Sequence, residues 1–569
     1  LHVAEEALRA AEPTVQTDIV SAPATHPGTD TAIVLNDAQS KAYEEIESAF
    51  EKGSPAMLYG VTGSGKTEIY IKAAQEVLSK GSNVLYLVPE IALSRQLEER
   101  LEKHFSDRLL TFHSAETAVS RRNTAESVRR SRGLIVLGTR SSLFLPHHDL
   151  GLIIVDEEHD SSYKQDSPAP RYNGRDTALM LAQIHNCNII LGSATPSLEE
   201  IYNCSCGKHV LVKLAERYHG TADSGVETID TKAERRKRGM NGSFSRKLIE
   251  KIRKELLEGG QVMILRSRRS WAPALQCENC GDIPKCPHCN VSLSLHKTAG
   301  SSMMRCHYCG YSSVFADTCH KCNGTLKNLG AGTQKIEEEA GTLFPEARIA
   351  RLDSDSAQNK KFESETIREF SKGNIDILIG TQMLTKGFDF GKLSLVAVIA
   401  ADTFLGMQDF RADEKAVQIL EQFRGRCGRR GRKGLLVIQT SQPGHPVYKR
   451  LANSGINQGM VTDLLLERKD FGFPPYTRIV EITIRDSYED RAHKNACVLA
   501  VELQKAVEVT GPYAPAVDRV SGQHIRIIRL SLKKDRNLPR LKRNIVDMIH
   551  SFEKSHRYDG HITVNVDPA

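Results

Sequence analysis

The chain has 569 residues and a formal net charge of +7, and 26% of its residues are charged while 40% are hydrophobic. It contains no run of 18 apolar residues, and this composition argues against both a membrane-spanning segment and a wholly disordered chain. The length predicts about four domains. Because the positive excess is small, a nucleic-acid surface would have to come from local basic clusters. Residues 232–238 and 424–433 are the candidates, and a solvated surface run is the favoured interpretation of the first.

The first 35 residues are rich in Ala, Thr, Pro and Asp and show little periodicity, which is typical of a linker. The sequence begins with Leu1, and we expect a truncated start. Residues 1–35 are therefore predicted to be the remnant of a longer N-terminal region.

A phosphate-binding loop follows the first predicted strand. Met57–Tyr59 is a short apolar strand, GVTGSGKT comes next, and a helix is predicted from Glu68. The glycines let backbone N–H groups wrap phosphates at the helix N-terminus. In this motif Lys66 reaches the β- and γ-phosphates, and the Thr67 hydroxyl binds Mg²⁺. The predicted nucleotide-binding residues of the loop are Gly60, Val61, Thr62, Gly63, Ser64, Gly65, Lys66 and Thr67.

Upstream of this loop, Gln39 stands within LNDAQ. Its position fits that of the glutamine with which such motors read adenine. A plain glutamine at the start of a helix is an equally good interpretation.

Two carboxylates follow a second buried strand. The apolar run Leu152–Val155 ends in the sequence DEEH, so its carboxylates emerge where parallel α/β sheets bind ligands. We predict that Asp156 holds Mg²⁺ and that Glu157 polarises the attacking water. The alternative is a surface acidic turn.

Four other predicted strands of this region end in polar sequences, namely VPE, FHS, GTRSS and GSAT. Their alternation with helical segments predicts a mostly parallel sheet with helices on both faces. In this order, and with DEEH, they resemble the nucleic-acid-contacting motifs of superfamily 2 helicases, which hold phosphates without reading bases. Arg140 in GTRSS is the candidate DNA-binding residue of this set.

A second α/β region starts at strand Val262–Leu265 and resumes near Arg348–Ala350 after an interruption. The strand Ile375–Ile379 then leads into GTQMLTKG, in which Thr381 and Lys386 are predicted phosphate donors. Further on, the sequence QFRGRCGR carries two arginines three residues apart.

These two arginines, Arg426 and Arg429, can share one helical face. In a two-lobed motor they would reach the γ-phosphate across the cleft as arginine fingers. The alternative is a basic stripe that binds nucleic acid. It is the less favoured interpretation for Arg424 and Arg432, and it is weaker still for the two fingers.

The interruption of the second region contains eight cysteines in four CxxC pairs. Such pairs in a reducing compartment favour metal over disulfides, and the cytoplasm is expected because no secretory h-region is seen. Eight thiolates make two closed tetrahedral sites, so the zinc is predicted to be structural. Spacing alone leaves open which pairs share an ion. The candidate ligands are Cys277, Cys280, Cys286, Cys289, Cys306, Cys309, Cys319 and Cys322.

The segments GVTGSGKTE, VPEIAL, GTRSSLF, DEEHDSSYKQ, LGSATPSLE and IGTQMLTKG, the CxxC pairs and a terminal VDP together resemble the PriA family of bacterial replication-restart helicases. The resemblance covers nearly everything after about residue 35. It implies an ATP-dependent 3′→5′ DNA helicase that recognises stalled or recombined forks and initiates primosome assembly. Single-stranded and forked DNA, single-stranded-DNA-binding protein and helicase-loader proteins are the implied partners, and a bacterial nucleoid-associated location is implied too.

The resemblance also implies how the cysteines are grouped. One zinc site is expected from Cys277, Cys280, Cys319 and Cys322. The other is expected from Cys286, Cys289, Cys306 and Cys309.

The segment 160–176 is similar to the family's aromatic-rich loop, which couples DNA binding to hydrolysis. Tyr163 and Tyr172 could stack on bases, and Arg175 is a further predicted DNA contact. This chain has RYNGR where many members have RYHAR, so the anchoring of the loop is open. It also has SRRSW where members commonly have NRRGY, and the finger motif has Phe423 and Cys427 where smaller residues are usual.

The predicted fold is α/β, with two RecA-like parallel-sheet motor lobes, a Cys-rich two-zinc insertion in the second lobe and an α+β C-terminal domain. The predicted divisions are 1–35 for the remnant, 36–215 for lobe 1, 216–445 for lobe 2 with its insertion at 272–326, and 446–569 for a DNA-binding domain. Two other functions fit the motifs less well: a DNA- and partner-binding scaffold whose ATPase does not unwind, and a double-strand translocase.

Overall fold

The computed structural model describes residues 33–568 except 62, 90–94, 115, 215–223, 267–274, 278, 281, 283, 290, 292, 299–300, 307–308, 316–317, 329–332, 354–359, 382–383, 385–389, 407–408, 429–433, 453–457 and 557. The predictions for Thr62, Lys386, Arg429 and Arg432 therefore lie outside the described residues. None of the described helices combines the length and the apolarity that crossing a bilayer demands. The chain divides into two compact units, residues up to 265 with 346–461, and residues 266–345 with 462 onward.

The first unit begins with a seven-stranded sheet in which every pairing is parallel. Its strands are β1 (Ala56–Gly60), β2 (Asn83–Leu87), β3 (Leu109–Phe112), β4 (Ile135–Gly138), β5 (Leu150–Asp156), β6 (Asn188–Ser193) and β7 (Val210–Leu214). They lie in the order β3-β4-β2-β5-β6-β1-β7. The helices of this lobe are α1 (Asp37–Glu51), α2 (Lys66–Ser79), α3 (Arg95–Phe105), α4 (Ala118–Arg130), α5 (Gly174–His185) and α6 (Leu198–Ser205).

Both faces of this sheet are covered, which is why its central strands are continuous apolar runs. Successive side chains of β5 point to opposite faces. Ile154 packs in one apolar cluster with Ile46 and Ile69, while Ile153 packs in a second cluster on the other face with Leu181. The polar residues at the carboxyl ends of the strands therefore lie next to a buried apolar core.

The second lobe of the same unit also has a sheet. Before the insertion lie the strands β8 (Gly225–Asp230), the short β9 (Met240–Asn241) and β10 (Phe244–Ser245), and β11 (Gln261–Arg266); after it come β17 (Ile349–Leu352), β18 (Ile377–Gly380), β19 (Leu393–Ile399) and β20 (Leu435–Thr440). Six of them form the sheet, in the order β17-β18-β11-β19-β20-β8. Its helices are α7 (Thr231–Arg236), α8 (Arg246–Leu257), α10 (Lys360–Lys372), α11 (Asp402–Leu405), α12 (Ala412–Arg424) and α13 (Pro446–Ala452). Phe370, Phe390 and Phe423 pack in its core, so the Phe423 of the finger motif fills apolar space.

The cysteine-rich insertion, in the second unit, is made of two small antiparallel sheets and is followed by helix α9 (Thr333–Leu343). One sheet pairs β12 (Leu275–Cys277) with β16 (Leu326–Asn328), and the other joins β13 (Ser294–Thr298), β14 (Ser301–Arg305) and β15 (Ser312–Val314). Its buried apolar clusters are built around the cysteines themselves.

The rest of the second unit is a C-terminal α+β domain, entered through α14 (Gln458–Asp470). Its strands are β21 (Thr477–Asp486), β22 (Glu508–Tyr513), β23 (Arg519–Val520), β24 (Gln523–Lys533) and β25 (His561–Val566). They form an antiparallel sheet in the order β22-β24-β21-β25, and β23 forms a hairpin with β24. Helices α15 (Glu489–Gln504) and α16 (Leu538–Ser555) bury their apolar faces against it.

The predicted fold class is confirmed: two parallel-sheet lobes, a cysteine-rich insertion and an α+β C-terminal domain are all present. The insertion interrupts lobe 2 in sequence between β11 and β17, as the pattern of strands predicted.

Candidate nucleotide, DNA and zinc sites

The P-loop connects β1 to α2 with two glycines in the left-handed region, Gly63 at φ +80° and Gly65 at φ +86°. The N-cap of α2 is Gly65, which makes no side-chain cap bond, and this favours anion binding at the N-terminus of the helix. Lys66 Nζ donates to the carbonyl of Gly60 at 2.9 Å, which holds the ammonium over the loop. The loop is therefore shaped to receive phosphate oxygens.

Gln39 is fully buried and supports the P-loop. It belongs to a reciprocal cap at the start of α1, in which Asn36 N donates to Gln39 Oε1 at 3.0 Å. Its Nε2 donates to the carbonyl of Gly65 at 3.3 Å. A Cβ on Gly65 would lie 2.1 Å from that nitrogen, so only glycine fits there. The adenine-reading role stays a prediction.

At the end of β5, the Asp156 carboxylate is surrounded by donors. Its Oδ1 accepts from Tyr70 Oη at 3.3 Å and from the backbone N–H of Glu157 at 3.0 Å. Burial, and then the charge of Glu157, raise the pKa of Asp156 to about 7, while Lys66 opposes the rise. A divalent cation bound here would favour the ionised form. The donor set of a carboxylate beside a P-loop suits Mg²⁺.

Glu158 and Arg175 form a buried ion pair with an Nη1 to Oε2 distance of 3.0 Å. The same guanidinium donates to Ser197 Oγ at 3.0 Å and pairs with Asp176 at 3.0 Å. Burial raises the pKa of Glu158, and Arg175 opposes that rise. In this structure the Arg175 guanidinium is paired inside lobe 1, and its predicted contact with DNA stays a prediction.

Tyr163 packs in an apolar cluster of lobe 1. It is 2% exposed, and its Oη lies 2.7 Å from the carbonyl oxygen of Asp156 and 3.1 Å from that of Leu87. In this structure the ring faces the core, and its stacking on a base stays a prediction. The side chain ties the aromatic-rich loop to the strand that carries Asp156.

Tyr172 is partly buried, with its ring edge-to-face against Phe144 at 4.9 Å between centroids. Its hydroxyl donates to the carbonyl of Arg140 at 3.3 Å, and Arg140 donates to the carbonyl of Ser162. Both predicted DNA contacts therefore brace the loop against the GTRSS segment. Whether either also reaches DNA stays a prediction.

The departure RYNGR has a local explanation. Asn173 is the N-cap of α5, and its Oδ1 accepts from the backbone N–H groups of Arg175 at 3.0 Å and Asp176 at 3.3 Å. Gly174 follows it with little space, since a Cβ there would lie 3.1 Å from Tyr163 Cδ1. A small N-cap followed by glycine lets α5 start directly against the buried tyrosine.

In lobe 2, Thr381 is only 4% exposed, so its hydroxyl does not present itself to a DNA backbone. Arg424 is likewise buried and pairs with Glu421 at 2.9 Å, which removes it from any basic stripe. Arg426 is partly exposed and follows α12 directly. Its finger role stays a prediction.

The two lobes meet at the DEEH end of β5. Gln422 Nε2 lies 3.1 Å from His159 Nε2, and Gln418 Nε2 donates to the carbonyl of Thr195 at 3.3 Å. Glu414 Oε1 accepts from the backbone N–H of Leu198 at 2.9 Å, so an acid of lobe 2 caps a helix of lobe 1. Arg426 stands one turn after Gln422, on the segment that the structure brings to the predicted catalytic carboxylates.

The eight cysteines form two groups of four whose sulfur atoms lie within 4.8 Å of one another. Site 1 contains Cys277, Cys280, Cys319 and Cys322, and site 2 contains Cys286, Cys289, Cys306 and Cys309, which is the grouping that the resemblance implied. The Sγ–Sγ distances include 3.3 Å for Cys277–Cys322 and 3.6 Å for Cys286–Cys309, which are too long for disulfides. Tetrahedral zinc with Zn–S bonds of about 2.3 Å separates sulfurs by about 3.8 Å, so the residues fit the ion.

Comparisons with known proteins agree with this geometry. Residues 36–204 match the DEAD/DEAH box helicase family, 312–431 the helicase conserved C-terminal domain, 286–313 the PriA DNA helicase Cys-rich region domain, and 469–569 the primosomal protein N C-terminal domain. A Rickettsia felis protein named replication restart protein PriA is 36% identical over 507 residues, which are 88% of this chain and 77% of that protein. The chain belongs to the PriA family.

A Bacillus subtilis member of the PriA family is 34% identical over 522 residues, or 90% of this chain. The chain spans 64% of that relative's length. A solved structure of RecG bound to a three-way DNA junction aligns with 82% of this chain and 48% of that one, at 16% identity and a TM-score of 0.45. That structural similarity is too low to bear on function.

Sequence reasoning missed several residues that organise the site in this PriA family member. Tyr70 lies one helical turn past the P-loop, and nothing in its spacing marks it as a neighbour of Asp156. Glu414 reads as an ordinary acid in the first turn of a helix. A glycine in the GSAT motif is the sequence signal that could have pointed to Tyr70. Gly192 leaves room for Tyr70 Oη, which would lie 1.6 Å from a Cβ at that position.

Proposed function

We propose that this chain is an ATP-driven DNA motor that moves 3′→5′ along single-stranded DNA and separates strands at stalled or recombined forks, so that replication can restart. The observation that carries the proposal is the meeting of the P-loop lobe and the arginine-bearing lobe at DEEH, through His159 and Gln422, in a PriA-family chain.

The nucleotide would lie on the P-loop. The N–H groups of the loop and Lys66 would hold its phosphates, while Thr67 and Asp156 would hold Mg²⁺. Bound Mg²⁺ supplies charge neutralisation of the phosphates. Glu157 stands beside Asp156 at φ +48°, a strained position for an L-residue, and is the group we assign to orienting the water.

Movement would follow from the contacts between the lobes. The Glu414–Leu198 and Gln418–Thr195 hydrogen bonds join α12 to the loop after β6 and to α6, and Ser197 Oγ donates to Glu158 at 3.0 Å in DEEH. Opening of the lobes would break the first two bonds and disturb the third. DNA bound to either lobe can thereby change the placement of the carboxylates that act on ATP.

Each domain would have its own role in this motor. Residues 36–215 and 216–445 form the motor, the insertion 272–326 holds two structural zinc ions, and residues 446–569 bind DNA. Forked and single-stranded DNA are the proposed substrates, and single-stranded-DNA-binding protein and helicase-loader proteins are the proposed partners.

The test is ATP-dependent strand separation on partial duplexes that carry either a 3′ or a 5′ single-stranded tail. We expect unwinding only from the 3′ tail, and we expect Lys66→Ala to abolish hydrolysis while single-stranded DNA binding is kept. A matched control is Lys72→Ala, a partly exposed lysine further along the same helix that forms an ion pair with Glu76. Hydrolysis without unwinding would favour the scaffold function, and equal hydrolysis by Lys66→Ala would refute the P-loop assignment.

A further inference from the structure

The two cysteine sites differ in what surrounds them. In site 1, Cys280 and Cys322 are exposed, and the apolar residues that pack on it among those the structure describes, Leu326, Met304 and Phe315, come from the insertion. In site 2, three of the four cysteines are buried, with Cys306 fully so. Part of that burial comes from outside the insertion.

The cover of site 2 is the hairpin between β23 and β24 in the C-terminal domain. Val517 and Val520 pack against the cluster of Cys286, Cys289 and Cys306. These residues lie more than 200 positions along the chain from the cysteines, yet both belong to the same compact unit.

Two backbone hydrogen bonds complete this contact. Ser521 N donates to Cys289 Sγ at 3.3 Å, and Gly522 N donates to the carbonyl of His288 at 2.7 Å. A backbone N–H directed at a zinc-bound sulfur is an outer-shell contact that orients the ligand and tunes its charge. The insertion supplies such a bond to each site itself, from His288 N to Cys286 Sγ and from Lys321 N to Cys319 Sγ.

The turn that makes these bonds is held in a costly shape. Ser521 and Gly522 have φ values of +51° and +78°, and the pairing of Val520 with Gln523 makes them the two central residues of a tight hairpin. The left-handed region is unfavourable for serine, by about 1–2 kcal/mol. Contacts with Cys289 and His288 give a reason for the turn to stay in this conformation.

We propose that site 2 fastens the insertion to the C-terminal domain: its zinc fixes Cys289 where that sulfur accepts the Ser521 N–H, and the hairpin in turn shields the ion. The two ions are then unequal, with site 1 open to a competing chelator and site 2 closed. The inference rests on the zinc occupancy included in the proposed function.

The first experiment follows zinc transfer from the full chain to a chromogenic chelator, 4-(2-pyridylazo)resorcinol. We expect two phases of one ion each, with the slow phase about tenfold or more slower than the fast one. Cys280→Ser should remove the fast phase, because it breaks site 1. The double variant Val517→Ser with Val520→Ser should speed the slow phase about tenfold and leave the fast phase unchanged.

The matched control is Val501→Ser with Val546→Ser, since these two valines lie on exposed helix surfaces of the same domain at 58% and 47% exposure. It should leave both phases unchanged. A single rate for both ions in the unaltered chain, or a slow phase indifferent to the hairpin variant, would overturn the inference. A purified chain with no zinc would instead refute the zinc assignment itself, so the two failures are distinguishable.

A second measurement covers the case in which the hairpin variant does not fold. Hydrogen exchange at the amides of Ser521 and Gly522 should be slow in the unaltered chain and in Cys280→Ser. In Cys309→Ser, which breaks site 2, both amides should exchange about tenfold faster or more. Equal protection in the two cysteine variants would show that the turn does not depend on site 2.

Discussion

Lobe 1 and the cysteine-rich insertion keep their shapes by opposite means. Lobe 1 buries long apolar runs on both faces of its sheet, and residues such as Ile69, Leu137 and Ile154 are completely inaccessible. Among the described residues of the insertion, the buried apolar side chains other than cysteine are Val291, Leu293 and Leu326. One region is stabilised by the removal of apolar area from water, and the other depends on metal bonds.

The two regions should therefore respond differently to the loss of a single contact. In lobe 1 the stabilisation is distributed over many buried apolar side chains, so the loss of one contact removes only part of it. The insertion has few buried apolar side chains of this kind. Because the hairpin of the C-terminal domain contacts its cysteines, we expect that hairpin to depend on zinc as well.

The largest expected effect is zinc removal by a strong chelator. Zinc binding contributes about 10–16 kcal/mol to the folding of small zinc peptides, so residues 275–328 should lose hydrogen-exchange protection throughout. Strands β1, β5 and β6 of lobe 1 should keep theirs, and nucleotide binding should persist. Loss of protection in β5 on chelation would remove the contrast between the two regions.

The next largest effect is Tyr163→Ala in lobe 1. It opens a cavity in the apolar cluster and should destabilise the lobe by about 3–5 kcal/mol, measured by denaturant unfolding. Tyr163→Phe should cost about 1 kcal/mol, because it loses only the hydroxyl that lies against the carbonyl oxygens of Asp156 and Leu87. Zinc retention should be unchanged in both. If Tyr163→Phe left stability intact but weakened DNA binding, the tyrosine would have to reach DNA.

Mild acid should also act on lobe 1. His147 is buried, its Nε2 donates to the carbonyl of Ser142 at 2.8 Å, and burial lowers its pKa to about 4. The folded lobe thus holds a neutral imidazole, whereas the unfolded chain takes up a proton below its ordinary pKa of about 6.5. The contribution of His147 to stability should therefore fall as the pH drops from about 6.5 to about 4, by about 3 kcal/mol in total, and that contribution should not change further below pH 4.

Denaturant unfolding at a series of pH values checks this, with His147→Gln as the control, because its amide can still donate to Ser142. The variant should lose most of the decline between those pH values. An equal decline in both proteins would assign the acid sensitivity to other groups.

The smallest effect is expected at the cap of α5. Asn173→Ala leaves the backbone N–H groups of Arg175 and Asp176 without their acceptor and should cost about 1 kcal/mol. Asn173→Asp keeps the oxygen and should be nearly neutral, which the same unfolding measurement would show. Equal losses in both variants would mean that the side-chain amide, and not the cap, matters.

Much of the fold could be predicted from the sequence. Strands such as Leu152–Val155 and Val262–Leu265 are apolar runs that end at polar motifs, and that pattern survives because parallel strands are buried on both faces. The cysteine spacing predicted closed metal sites, although which pairs share an ion came from the family resemblance. The P-loop was found because its glycines are required by backbone geometry and not by distant contacts.

The solvent exposure of the predicted DNA-binding residues could not be predicted in this way, because exposure does not follow from a local sequence pattern. Tyr163 and Arg175 have the chemistry of DNA ligands, but in this structure Tyr163 is buried and Arg175 pairs with the Glu158 carboxylate. In lobe 2, Thr381 and Arg424 are also buried. A side chain that can bind phosphate can equally satisfy an internal carbonyl or carboxylate, and only the packing selects between the two.

The sequence by itself determined the motor motifs, the two-lobe alternation of strands and helices, and the supply of eight thiolates, because each is fixed by local backbone or ligand chemistry. Only the tertiary structure decided that Glu414 caps a helix of the other lobe, that Tyr70 reaches Asp156, and that a hairpin near residue 521 covers a cysteine at 289. Those contacts join residues 86 to 232 positions apart along the chain, and a free energy that depends on such distant neighbours leaves no periodic trace in either segment.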